Sequence, residues 1–192
     1  MVTSEGHSRW LLPAVAALLQ GLGLEPSQLD LFAVTTGPGS FTGLRVGLGS
    51  VQGLALATGR PCLGISTLDV LAASAGGSSG TIVALIDAFR GEVYSGVYDA
   101  TGRLRGERRV GTVADAIEGL PPGSGFVGDP ASGHRAAIEA AVPGAVFPPS
   151  AAFLAAPLAA AALGMAGARE AVPPSALRPL YLRGADIRPS RT

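Results

Sequence analysis

Residues 31–59 constrain the fold more than any other stretch of the chain. They open with Leu31-Phe32-Ala33-Val34, a short apolar run with β-branched and aromatic members, which reads as a strand buried on both faces. Gly37-Pro38-Gly39-Ser40 follows and suits a type II turn, Pro38 setting φ at the second position and Gly39 supplying positive φ at the third. Ser40 is placed to cap a helix over roughly residues 41–58, its hydroxyl accepting from the N–H of Thr42 or Gly43. Such a strand–turn–helix joint leaves free N–H groups at a helix N-terminus, where an anion can sit. No lysine follows the glycines and the G-x-G-x-x-G spacing is absent, so the joint is not a Walker A loop or a dinucleotide fingerprint. Gly37, Pro38, Gly39 and Ser40 are therefore either a bare structural turn or an anion cradle.

The helix behind the turn carries glycines at unusual places. Gly43 and Gly47 are four apart, as are Gly49 and Gly53. Each costs about 0.5–1 kcal/mol relative to alanine inside a helix, so the set needs a compensating gain. Missing Cβ atoms at i and i+4 let another element approach the backbone and enlarge dispersion contact. Leu44, Leu48, Val51 and Leu54 or Ala55 supply apolar surface around the notches. Gly43, Leu44, Gly47, Leu48 and Val51 are thus candidate partner-interface residues. Packing against the chain's own sheet would use the same notches, and the sequence leaves both readings open.

Composition narrows the function classes. The 192 residues suffice for one core or two small halves, and fourteen acidic residues balance fourteen basic ones. A protein that grips nucleic acid by itself usually carries a basic face, so unaided RNA binding is not expected. Every basic residue is arginine, which removes a lysine phosphate clamp or Schiff base. Cys62 sits alone in an apolar run and reads as a packed thiol in a reducing cytosol, giving a cytoplasmic expectation. His7 and His134 have no second ligand at i+4, so no metal site is expected. No signal peptide is visible at the start, and the alanine-rich residues 151–168 are interrupted by Pro157 and read as a buried helix, not a membrane span.

Along the chain, residues 7–22 read as a helix with Ser8 as its cap and Trp10, Leu11, Ala14, Val15, Leu18 and Leu19 on one side. Pro61 to Ile65 is a second short strand, which must run parallel to the first. A helix begins at Ser66-Thr67-Leu68-Asp69, and Gly76-Gly77-Ser78-Ser79-Gly80 breaks the chain. The second half opens with three strands, at residues 81–87, 92–99 and 103–110, in an antiparallel meander. Helices at 112–120 and 132–141, strands at 125–128 and 145–147, and an alanine-rich helix ending near 167 complete it. The expected domains are residues 1–76 and residues 81–192, each an α/β lobe. Comparing them, the first half has no meander in front, as if the chain began about three strands late. Such a sheet would present an unpaired edge.

Gly37-Pro38-Gly39-Ser40-Phe41-Thr42-Gly43-Leu44-Arg45-Val46-Gly47 resembles the signature of the bacterial TsaB family, also called YeaZ. The likeness extends to His7-Ser8-Arg9-Trp10-Leu11-Leu12-Pro13, Gln52-Gly53-Leu54-Ala55-Leu56, Gly64-Ile65-Ser66-Thr67-Leu68, Ile86-Asp87-Ala88-Phe89-Arg90-Gly91-Glu92-Val93-Tyr94 and Leu180-Tyr181-Leu182-Arg183. The resemblance implies a two-lobed α/β fold of the actin, sugar-kinase and Hsp70-ATPase group, each lobe built on a five-stranded mixed sheet. The first lobe would lack its N-terminal β-meander, since the family's opening strands have no counterpart ahead of His7. Phe89 stands where the family more often has a basic or long side chain.

The same resemblance implies a non-catalytic scaffold that partners a TsaD-like subunit, with a TsaE-like ATPase, in forming N6-threonylcarbamoyladenosine at position 37 of tRNAs reading A-starting codons. It implies pairing with TsaD, or with itself as a homodimer when alone, through the first lobe's helices. No cofactor is expected beyond a nucleotide at the shared interface of the complex, tRNA is met only through that complex, and no membrane is involved. The alternative is an enzyme of the same fold group, metallopeptidase-like or ATP-hydrolysing. Asp87, at a strand end, would be its candidate residue, although a turn-capping role explains an aspartate there as well.

Overall fold

The structure is a computed structural model that describes residues 9–75, 80–149, 151, 153–165 and 170–183. The chain forms two compact units, Met1–Val70 with Phe153–Pro179 and Leu71–Ala152 with Leu180–Thr192. This differs from the expected division into residues 1–76 and 81–192. The alanine-rich helix α7 (Ala155–Met165) and the segment after it pack in the first unit, because the first sheet has a second apolar face that local sequence cannot cover.

In the first unit, β1 (Phe32–Gly37) pairs in parallel with β2 (Cys62–Ser66), and α2 (Phe41–Thr58) makes the crossover. The sheet is covered on both sides, as its apolar run requires. Phe32, Val34 and Cys62 pack with Leu48 and Ala55 of α2, and Leu177 joins them from the C-terminal part of the chain. Alternate residues face the other way: Leu63 and Ile65 pack with Ala162 of α7, and Leu31 and Ala33 lie against the same cluster. Burying one such aliphatic or aromatic side chain contributes roughly 1.5–3 kcal/mol. The Gln52 side-chain amide donates to the carbonyls of Pro174 and Leu177 at 3.0 and 3.2 Å, tying α2 to the returning segment. Val172 also bridges Cys62.

The opening joint forms largely as its residues dictate. Ser40 caps α2 and accepts from the Gly43 N–H, and Gly59 closes the helix in the left-handed conformation at φ 67°. The turn between is not type II: the Gly37–Pro38 peptide is cis and Gly39 lies at φ 158°, far from the value of about +80° that type II needs. Helix α1 (Leu11–Gly21) is shorter than the expected 7–22, and its first residue is preceded by Trp10 without a side-chain cap. Ser8, the expected cap, lies outside the described residues, as do Gly76 to Ser79 of the expected boundary.

Helix α3 (Thr67–Ser74) leads into the second unit, whose four-stranded sheet has the order β5-β4-β3-β6. Strands β3 (Ile82–Asp87) and β4 (Val93–Tyr98) form an antiparallel hairpin, β5 (Arg109–Gly111) extends it, and β6 (Gly125–Val127) joins β3 in parallel. A parallel bridge from Gly125 to Val146 adds a fifth position. The meander is therefore present, with a third strand shorter than expected because only Leu104 pairs before Arg109. Val83, Leu85, Val93 and Phe126 of the sheet bury against Val113 and Ile117 of α4 (Val113–Ile117) and Ile138 of α6 (Arg135–Ala141). The expected helix 132–141 is split: α5 (Asp129–Gly133) ends before α6 starts, and Pro130 occupies its first turn.

Two aspartates fix turns in this unit, the half-buried Asp99 and the exposed Asp115. Asp99 accepts from the Thr101 hydroxyl and from the N–H groups of Thr101 and Arg103, and these bonds hold its carboxyl below the ordinary range. Asp115 and Thr112 form a reciprocal capping box at the start of α4, and the Thr112 hydroxyl and N–H lower the Asp115 pKa. A carboxylate depressed in the folded state stabilises α4 above its unfolded pKa, and that contribution disappears as pH falls through the lower folded value. Thr112→Ala is expected to move the Asp115 titration midpoint upward in an NMR pH series. An unmoved midpoint would exclude the hydroxyl as its cause.

Candidate partner interface

The five expected interface residues on α2 do not share one surface. Leu48 is only 5% exposed and sits among Phe32, Val34 and Ala55, with Val51 partly buried beside it. A Cβ on Gly47 would lie 3.7 Å from Val34 Cγ2, so that notch faces the chain's own sheet. Leu44 is half-buried, and Gly43 is exposed next to the Ser40 side chain. Leu48 is thus an inward packing residue, a correction to its expected place at a partner surface, and the half-buried Gly47 and Val51 lean toward the same core. They lie inward because the face of α2 that carries Leu48 and Ala55 must cover Phe32 and Val34.

The other glycine pair behaves differently. Gly49 and Gly53 are exposed, and a Cβ on either would meet nothing within 4 Å. Beside them Leu56 is 76% exposed, and Phe41 is half-exposed at the start of the helix. Helix α1 touches α2 yet buries only Leu19. Trp10, Leu11, Leu12, Leu18 and Leu22 remain exposed, Leu18 at 64%. The apolar side expected for α1 is therefore mostly open to water. Helices α1 and α2 thus each leave large apolar side chains open to water, several on α1 alone, more than the single exposed leucine common on a folded surface. A signal for it was available: Leu11-Leu12-Pro13-Ala14-Val15-Ala16-Ala17-Leu18-Leu19 holds more apolar residues than one buried stripe requires.

At the turn, Gly37 and Pro38 are buried, Gly39 is half-buried and Ser40 is exposed. The Ser40 Oγ takes the Gly43 N–H at 3.3 Å, so the cap already uses one donor an anion would need. Ser66 Oγ donates to the Gly37 carbonyl at 3.2 Å and fastens the joint to the end of β2.

In the second unit a cleft of about 310 Å³ is lined by Asp87, Glu92, Asp129 and His134 among others. Asp87 acts there as a turn cap, its Oδ1 accepting from the Phe89 N–H at 2.7 Å. Among the described residues no three His, Cys, Asp or Glu side chains are grouped as metal ligands. Cys62 is fully buried, and burial pushes its thiol pKa up, away from the reactive thiolate. No helix among the described residues is long and apolar enough to cross a membrane.

Comparison with known proteins places this geometry in a family. A family model described as TsaD, tRNA N6-adenosine threonylcarbamoyltransferase, matches residues 1–166. The chain is 41% identical over 105 residues to the tRNA threonylcarbamoyladenosine biosynthesis protein TsaB of Escherichia coli K12, a match spanning 53% of this chain and 46% of that protein. The matched part is thus less than half of that relative's length. An uncharacterized protein of Mycobacterium tuberculosis H37Rv is 33% identical over 190 residues, 98% of this chain and 80% of its own. Among solved structures, an uncharacterized Pseudomonas aeruginosa protein with similarity to peptidase YEAZ superposes with a TM-score of 0.81 at 32% identity, covering 95% of this chain and 87% of that one. With the α/β architecture and its mixed sheet, these likenesses establish that the chain belongs to the TsaB (YeaZ) family.

Proposed function

We propose that this chain works in tRNA threonylcarbamoyladenosine biosynthesis as a non-catalytic scaffold subunit that docks a TsaD-like subunit, with a TsaE-like ATPase completing the assembly. The observation that carries the reading is the set of exposed apolar side chains on the two helices, Leu18 and Leu22 on α1 and Leu56 on α2, with the unfilled notches at Gly49 and Gly53 on α2. Notches without Cβ atoms let a partner helix reach the backbone, and the surrounding leucines provide the area that drives association. The same side chains account for a homodimer when the chain is alone. Gly43 and Leu44 remain part of the proposed contact. With no excess positive charge, the protein meets tRNA through its complex, in the cytoplasm, and any nucleotide binds at the shared interface.

The test is co-expression with the genomic TsaD- and TsaE-like partners and quantitation of threonylcarbamoyladenosine on tRNA with and without this chain. Modification is expected to fall to background in its absence, and full modification without it sinks the scaffold reading. Turnover of ATP or peptide by the isolated chain, abolished by Asp87→Ala, would instead make it an enzyme.

A further inference from the structure

The turn joining β3 to β4 holds two successive non-glycine residues in the left-handed region, Phe89 at φ 61° and Arg90 at φ 59°. For a bulky residue this conformation is uncommon and persists only where surrounding contacts impose it. Phe89 gains no burial in return, since its ring is 68% exposed. Part of the constraint is local: Asp87 Oδ1 accepts from Phe89 N–H, Glu92 N–H donates to the Phe89 carbonyl, and Ala88 N–H donates to the Glu92 carbonyl. The rest comes from far along the chain. The Arg183 guanidinium donates to the Ala88 carbonyl at 3.2 Å and pairs with the Glu92 carboxylate.

Ala88 and Glu92 are the two feet of this turn, one directly following β3 and the other directly preceding β4. One planar guanidinium thus bridges both, with a fork geometry suited to two acceptors at once. Residues 180–183 belong to the second unit although residues 153–179 belong to the first, so Arg183 anchors this returning stretch on the hairpin.

We propose that Arg183 is a latch through which the C-terminal strap holds the β3–β4 tip in its left-handed form and so presents Phe89 to solvent. The strap and the tip are then coupled sites. Anything that draws Arg183 away, such as a competing carboxylate or phosphate, loosens the tip, and a partner that grips the tip tightens the strap by the same factor. The inference is independent of the scaffold reading, because it concerns the order of the hairpin whatever binds there.

Hydrogen exchange on the full chain tests it, read at the Ala88, Phe89 and Glu92 amides. Arg183→Ala is expected to speed their exchange about tenfold while β6 and α6 keep their protection. Unchanged exchange at those three amides overturns the latch. Glu92→Gln keeps a neutral acceptor of similar shape and serves if Arg183→Ala loosens the whole unit. It too must speed exchange at the tip, and unaltered protection there overturns the proposal. In the double variant the effects must fall short of additive, since both act through one contact, whereas full additivity counts against it.

Discussion

Gly128→Ala is expected to unfold the second unit. A Cβ at this position would sit 1.9 Å from the Leu85 carbonyl oxygen and 3.0 Å from Leu71 Cδ2, on a backbone with φ 108°. Two separate penalties combine, a main-chain conformation closed to L side chains and a collision with backbone rather than with a flexible side chain. Neither can relax cheaply. Leu85 is fully buried in β3, and β3 is held between β4 and β6 in the interior of the sheet. A loss on the order of 4 kcal/mol or more is the scale for such sites, against a total of about 5–15 kcal/mol for a domain. Chemical denaturation monitored by circular dichroism measures it. Gly133→Ala in the following helix, where a Cβ meets nothing within 4 Å, is the matched control and should change little. A Gly128→Ala protein within about 1 kcal/mol of the parent would show that the β6–α5 joint is not built this way.

The second large effect concerns association. Leu18→Asp combined with Leu56→Asp places one carboxylate on α1 and one on α2, where both leucines are mostly exposed. The folded subunit tolerates them, because neither side chain contributes to its core. A partner that buries both positions must desolvate both charges without counter-ions, so affinity for the proposed TsaD-like partner should fall at least about 100-fold. Calorimetry with the partner measures this, alongside a melting curve that should stay near the parent's. Unchanged affinity with normal folding would move the interface elsewhere. Leu48→Asp makes the contrast: it would lose binding only by unfolding the first unit, since Leu48 packs with Phe32 and Val34.

That contrast locates what could be read from the sequence and what could not. The bounds of α2 were legible because Ser40 and Gly59 punctuate it chemically, and β1 was legible because its apolar run needs cover on both faces. The phase of α2 was not. At about 100° per residue, Gly43 and Gly47 lie on a different side of the helix from Gly49 and Gly53, and local sequence does not say which side meets the sheet. The sheet decides it, with Val34 opposite Gly47 and the pair Phe32 and Val34 under Leu48 and Ala55. The exposed apolar side of α1 was missed for a related reason, since a leucine stripe looks the same whether it covers the chain's own core or another molecule's. The return of α7 to the first unit was illegible because it rests on contacts between residues about a hundred positions apart, such as Ile65 and Ala162 in one cluster.

That return has a consequence for the order in which the protein matures on the ribosome. The helices and sheet of the second unit are encoded in one continuous run, Leu71–Ala152, and can close as soon as that run emerges. The first unit waits. Until Phe153–Pro179 has been synthesised, Leu63 and Ile65 have no Ala162 to pack against, and Gln52 has no Pro174 or Leu177 carbonyl to receive its amide. The sheet translated first is therefore covered after the sheet translated second, and while half-covered it is the part of the nascent chain most in need of shelter from aggregation.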